Sequence, residues 1–230
     1  MLLDSRKRIF VHIPKNAGMT IRHSTFLKDR ILVNNAGTHK SKQYTQELLE
    51  TMNAIGDHHG IEHARWRDLN VPYREQYRAF AVIRNPWDRV VSRYFFAKKV
   101  IEVEKKVDPS YADVSSFEAF LEERHQWGSQ KFMWHRAVRG WFPALDHVTD
   151  DTGIVRCDII RFENLNEDLI KYFNIPMMSR ARNVTALNKG TYMDVYNDKT
   201  RQIVADWYAK DIDYFGYDFD TGPTKNYWGM

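Results

Sequence analysis

The sequence predicts an α/β domain of three layers, with a mainly parallel central sheet flanked by helices. Three observations carry that prediction. Short apolar runs alternate with segments of helical spacing, the order that gives parallel strands joined by helical crossovers. The run Tyr77-Arg-Ala-Phe-Ala-Val-Ile83 is almost continuously apolar, as a strand buried on both faces of a parallel sheet must be. Twice, at residues 14–20 and 84–92, a strand passes through a small or polar turn into a helix start. Ligands of such sheets bind beyond the strand C-termini, so both turns are placed on the binding edge.

Composition bounds the class. A chain of 230 residues can bury one sizeable core, and no repeat, low-complexity tract or linker divides it, so residues 1–230 read as one domain. Apolar residues make up 43% and aromatics 14%, a globular rather than disordered composition. No run approaches the ~18 apolar residues of a membrane span. Met-Leu-Leu-Asp-Ser-Arg-Lys-Arg lacks the apolar core of a secretory signal. The single cysteine, Cys157, excludes an internal disulfide and fits a reducing compartment, so a cytoplasmic location is expected. The sequon Asn183-Val-Thr185 then reads as chance. Thirty-four Lys+Arg against 30 Asp+Glu leave a net charge of +4, scattered along the chain. That suits an anionic ligand without singling out nucleic acid.

In order, Arg8-Ile-Phe-Val-His-Ile13 reads as a short buried strand, and Pro14-Lys-Asn-Ala-Gly18 as a tight turn into a helix continuing over 21–28. Arg30-Ile-Leu-Val33 is a second strand, closed by Asn34-Asn-Ala-Gly37. Tyr44, Leu48, Leu49, Met52 and Ile55 fall at helical spacing, with Gly56 at the C′ position. Residues 64–69 read as a short helical piece and 71–77 as a connection into the strand 77–83. Asn85 as cap and Pro86 as first residue open a helix over 86–100. Residues 102–113 are charged and aperiodic, a loop. Ser115-Ser-Phe-Glu118 is a capping box ahead of the next helix. The aromatics of 127–143 have no clean period and read as packing rather than a sugar platform. A strand over 154–162, a helix over 165–173, a polar loop over 183–196 and a last amphipathic helix over 198–208 complete the chain.

Two constellations carry chemistry. In the first, a strand, a small-residue turn and a helix start make an anion cradle, because the first-turn N–H groups and the helix dipole face the anion. The turn adds a cation, Lys15, and a hydroxyl, Thr20. It is P-loop-like without being a Walker A loop, which needs Gly-x4-Gly-Lys-Ser/Thr; here the lysine comes second in the turn and Gly18 is its one glycine. In the second, Arg84 ends a buried strand and Ser92 follows eight residues on, inside the helix. A guanidinium fork with a hydroxyl suits a phosphate monoester, although a structural salt bridge from Arg84 to a carboxylate such as Asp88 is the plainer alternative. His58, His59 and His63 suit a metal by ligand type, but two are adjacent and there is neither a cysteine nor an obvious fourth ligand. No Mg²⁺-holding aspartate is apparent, so no metal is expected.

Val11-His-Ile-Pro-Lys-Asn-Ala-Gly-Met-Thr20 resembles the 5′-phosphosulfate motif of sulfotransferases that use 3′-phosphoadenosine 5′-phosphosulfate (PAPS). Phe80-Ala-Val-Ile-Arg-Asn-Pro-Trp-Asp-Arg-Val-Val-Ser-Arg-Tyr-Phe95 resembles their 3′-phosphate motif. Ile160-Arg-Phe-Glu-Asn-Leu165 and the segment 188–219 add to the likeness, which is to Golgi-type carbohydrate sulfotransferases and their bacterial relatives and covers residues 9–219. The resemblance implies that Lys15 contacts the phosphosulfate, that Ala17, Gly18, Met19 and Thr20 offer donors, and that Arg84 and Ser92 hold the 3′-phosphate, with Lys189 a further candidate. Asn16 stands where the family has a hydroxyl residue, and Met19 where it has a small or hydroxyl one; Asn16 is carried as a ligand through its amide. Sulfuryl transfer to an alcohol needs a base, and histidine is suited to that role. By likeness to heparan sulfate 2-O-sulfotransferases His63 fits best, with His59 and Glu62 behind it. The implied function is in-line transfer of a sulfuryl group from PAPS to a hydroxyl of an acceptor such as a glycan or small sugar. A P-loop-type nucleotide kinase and a non-catalytic nucleotide-binding module are the competing readings.

Overall fold

The computed structural model of the protein describes residues 7–106, 109–127, 140–177 and 191–220. Four parallel strands, β1 (Arg8–Val11), β2 (Ile31–Val33), β3 (Ala79–Ile83) and β4 (Cys157–Arg161), form one sheet in the order β2-β1-β3-β4. Phe10 lies beside Val33 on one side and Phe80 on the other, and Ala81 beside Ile159. All five residues of β3 are buried, as its apolar run requires of a strand paired on both sides.

The period of two sends alternate residues to two cores. Phe10, Phe80, Val82 and Ile160 face one layer, which holds Ile21 of α1 (Gly18–Arg22) together with Leu169 and Phe173 of α7 (Leu165–Phe173). Ile9, Val11, Ala79, Ala81, Ile83 and Ile159 face the other. That layer holds Leu48 and Met52 of α2 (Lys42–Ala54), and Trp87, Val90 and Tyr94 of α4 (Pro86–Lys98). Among the described residues the remaining α-helices are α3 (Val71–Gln76), α5 (Phe117–Glu122), α6 (Ala144–Val148), α8 (Asp198–Trp207) and α9 (Ala209–Phe215). The predicted three-layer α/β fold is the fold observed.

The crossovers place the site. From β1 the chain steps outward to β2 under one face; from β3 it steps to β4 over the other, through α4. The neighbours β1 and β3 therefore feed helices on opposite faces, and a crevice opens between their C-terminal ends.

Several element boundaries differ from the sequence reading. The helix expected over 21–28 stops at Arg22, and residues beyond it close into turns such as Leu27 N–H to Ser24 O, 3.2 Å. His23, Ser24 and Thr25 are poor helix formers, and Ser and Thr side chains compete for the backbone. Residues 71–76, read as a connection, form α3, whose start carries an Asn70 cap and a proline in the first turn. The capping residue of α5 is Ser116, which accepts from Ala119 N–H at 3.0 Å, while Ser115 Oγ turns back to Asp113 at 2.5 Å. A further helix, α9, follows Tyr208, and its C-terminus is set by the left-handed Gly216. Helix α4 passes into a π-turn over Lys99–Val103. Most of the aromatic stretch 127–143 lies outside the described residues; its Trp141 is buried against Phe120, their ring centroids 5.2 Å apart.

Candidate active site

Three hydrogen bonds bolt the β1–α1 turn to the end of β3 and the start of α4. Asn16 Nδ2 donates to Val82 O at 2.7 Å, Arg84 Nη1 to Lys15 O at 2.9 Å, and Arg89 Nε to Pro14 O at 3.2 Å. Arg89 is almost wholly buried and also donates through Nη1 to Phe142 O at 2.8 Å. The turn is wound through left-handed backbone at Lys15 (φ 68°) and Ala17 (φ 61°). A left-handed residue followed by helical ones gathers successive N–H groups on one side, the geometry of an anion-binding nest. Helix α1 has only five residues, so the cradle depends less on a macrodipole than the sequence suggested.

Side-chain cations supply the field instead. Lys15 is partly buried, with Nζ 4.1 Å from the centroid of the Phe96 ring. Burial, and then the charges of Arg84, Arg93 and Lys99, push its amine down from the usual lysine value to about 7. Arg84 closes its fork on Asp88, Nε to Oδ2 and Nη2 to Oδ1 both at 2.7 Å, and its guanidinium lies 4.0 Å over the Phe162 ring. The salt bridge weighed as the plainer alternative is thus present, on an arginine that also touches the cradle. Beside it, Glu163 accepts from Asn85 N–H at 2.7 Å, and burial raises that carboxyl above its ordinary range.

On the other flank of the turn, the His12 ring packs at Gly18. A Cβ on that residue would fall 1.6 Å from His12 Nε2, so only glycine fits. The His12 ring also lies 4.1 Å from that of His63, and the backbone oxygen of His12 is 2.7 Å from His63 Nδ1. A carbonyl only accepts, so Nδ1 carries a proton, and in the neutral ring the proton-accepting position is Nε2. That Nε2 lies 3.6 Å from Glu62 Oε1, and Glu62 in turn meets Arg22 at 3.7 Å and His58 at 3.6 Å. His59 is half-buried, its Nδ1 accepting from Ile61 N–H at 3.1 Å.

The structure therefore brings Lys15, Ala17, Gly18, Met19, Thr20, Arg84 and His63 around one turn. Ser92 sits half-buried on the second turn of α4. The Asn16 side chain is buried and turned toward β3, and its own N–H is given to Ile13 O at 3.3 Å, so here it braces the turn from behind. Lys189 lies outside the described residues. Sequence reasoning missed His12, Arg93, Phe96 and Lys99. Phe96 and Lys99 follow Ser92 at i+4 and i+7, the helical spacing that shares one face, and that signal was legible. Nothing in the sequence links His12 to Gly18.

Among the described residues no group of three or more His, Cys, Asp or Glu is arranged to hold a metal ion, and no helix is long and apolar enough to cross a membrane. The parallel sheet and the cations gathered at the β1–α1 turn define an α/β domain of P-loop-like fold. A sequence model of the sulfotransferase family matches residues 2–218, and the chain belongs to that family. Membership makes it a transferase of sulfuryl groups and implies a hydroxyl-bearing acceptor. None of the curated proteins compared with the chain matches it.

Proposed function

We propose that the protein transfers a sulfuryl group from PAPS to a hydroxyl of an acceptor, a carbohydrate in the reading favoured here, with His63 as general base. The observation that carries this reading is the gathering of Lys15, Arg84, Arg93 and Lys99 where β1 and β3 part; burial first, and then its three cationic neighbours, depress the Lys15 amine. Such a cluster is relieved by an anion, and cations held at two points, Lys15 on the turn and Arg84 on β3, fit a nucleotide with two separated anionic groups. When bound, that nucleotide supplies an activated sulfuryl group. Lys15 and the donors of residues 17–20 would hold the phosphosulfate, and Arg84 with Ser92 the 3′-phosphate. Lys15 then balances the charge that grows on the departing phosphate. His63, oriented through Nδ1, takes the hydroxyl proton at Nε2, and Glu62 stabilises the imidazolium so formed.

Binding is tested by thermal shift with the product nucleotide, 3′-phosphoadenosine 5′-phosphate (PAP), without Mg²⁺. At a hundredfold excess over Kd, PAP should stabilise the fold by about 2.7 kcal/mol, and ATP with Mg²⁺ should do much less. A melting temperature indifferent to PAP would overturn the reading. A screen of hydroxyl acceptors with ³⁵S-labelled PAPS identifies the second substrate. With an acceptor in hand, His63→Ala should lower kcat by roughly 10²–10⁴-fold. A wild-type rate in that variant would move the base to His59 or Glu62.

A further inference from the structure

Each cation of the proposed clamp rests on a phenylalanine ring. Lys15 Nζ is 4.1 Å from the centroid of Phe96, and the Arg84 guanidinium carbon is 4.0 Å from that of Phe162. A ring face attracts a cation through its quadrupole, most strongly where water is excluded. The two cations differ in one respect. A guanidinium stays charged at any pH the fold survives, whereas an ammonium can lose its proton.

The groups facing Lys15 press it toward that loss. Arg84 from the end of β3, Arg93 from α4 and Lys99 from the π-turn are all positive. Two of these cations carry acids of their own: Asp88 pairs with Arg84 at 2.7 Å, and Glu104 with Lys99 at 2.9 Å. The ring of Phe96 favours the charged form against these neighbours. Phe96 is placed to do so by α4, one turn beyond Ser92.

We propose that Phe96 is a positioning residue for Lys15: its ring face seats the ammonium at the turn and favours its charged form against the neighbouring cations, so that the cradle takes up an anion more readily as pH rises through neutral. This rests on the reading of Lys15 as an anion ligand. At low pH Lys15 is charged with or without the anion, and the ring makes little difference to affinity. At high pH an arriving dianion must draw a proton onto Lys15, and there the ring helps.

The test compares Phe96→Leu, which removes the ring face, with Phe96→Tyr, which keeps it, and with Phe162→Leu as control; Phe96→Met replaces the leucine variant if that one does not fold. Lys15 is titrated in the ligand-free protein by pulsed acetic anhydride labelling with mass spectrometry, and PAP affinity is measured by calorimetry at pH 6 and pH 8.5. The expected result for Phe96→Leu is a labelling midpoint lower by about one pH unit and PAP affinity lower by roughly three- to tenfold at the higher pH, with little change at the lower. Phe96→Tyr should match the wild type. Phe162→Leu should weaken PAP equally at both pH values and leave the Lys15 midpoint unmoved, because a guanidinium keeps its charge across this range. An unchanged midpoint in Phe96→Leu, or a loss of affinity independent of pH, overturns the proposal. If the wild type fails to bind PAP, the nucleotide reading falls, while the labelling midpoints still decide the role of Phe96.

Discussion

At the scale of single residues, the site is built from positions whose backbone or space admits few alternatives. Gly18 is the clearest. Its missing Cβ is the space that His12 fills, and the His12 ring in turn packs at a tilt against His63. Gly18→Ala must therefore push the imidazole toward His63 or lift the turn, at roughly 1–3 kcal/mol for an overpacked site. Trimming the ring by His12→Ala should relieve the clash. The check is a double-mutant cycle in urea: the pair is expected to be more stable than the sum of the single changes by 0.5 kcal/mol or more, on the order of ordinary contact coupling. Strict additivity would mean that the two residues do not share this space. Lys15, Arg84 and Ser92 could be placed at the two strand-to-helix turns from the sequence because they belong to motifs with fixed spacing. His12 could not, since its partner lies six residues on and the contact exists only once the turn has closed.

At the scale of elements, the organising fact is that a strand-to-helix turn too short to be stable alone is held by its neighbours. Helix α1 spans five residues, far below the length at which a helix persists by itself. Its turn carries two left-handed non-glycine residues, each of which costs about 1–2 kcal/mol. The bolts from Asn16, Arg84 and Arg89 offset that strain. Asn16→Ala removes a buried bond of 2.7 Å and leaves the Val82 carbonyl without its donor. A destabilisation of about 1–3 kcal/mol is expected from the orphaned group. If Asn16 braces the turn and makes no contact with the anion, the loss of PAP affinity in this variant should be recovered in part at low temperature, where the turn re-forms; chemical denaturation and calorimetry across temperature decide it. The long elements, β3, α2, α4 and α7, could be read from the sequence because the apolar pattern is clear there, and at α2 and α4 the caps agree with it. The early end of α1 lay in the poor helix propensity of His23, Ser24 and Thr25, a signal that the helix expected over 21–28 passed over.

For the whole molecule, the legible part was the alternation of strands and helices and the two turns on one edge. What stayed hidden was the polar interior behind the site, which no pattern of apolar residues can announce. His147 of α6 is fully buried there, and burial, followed by the charge of Arg89 and then those of Arg65, His12 and Arg67, keeps its imidazole well below the ordinary histidine value. Arg89 is also the bolt to Pro14, so this interior and the cradle share a member. The sign of the coupling follows from proton counting. Below about pH 6.5 the unfolded chain protonates His147 while the folded one does not, so the unfolded state binds the extra proton and stability falls as pH falls. A single such group contributes a slope of at most about 1.4 kcal/mol per pH unit. Urea unfolding at pH 7.5 and pH 5.5 should show this loss in the wild type and less of it in His147→Gln, which keeps a polar side chain that cannot titrate. If the two proteins lose stability in parallel, the acid sensitivity lies in other groups, and His147 is only a packed member of the core.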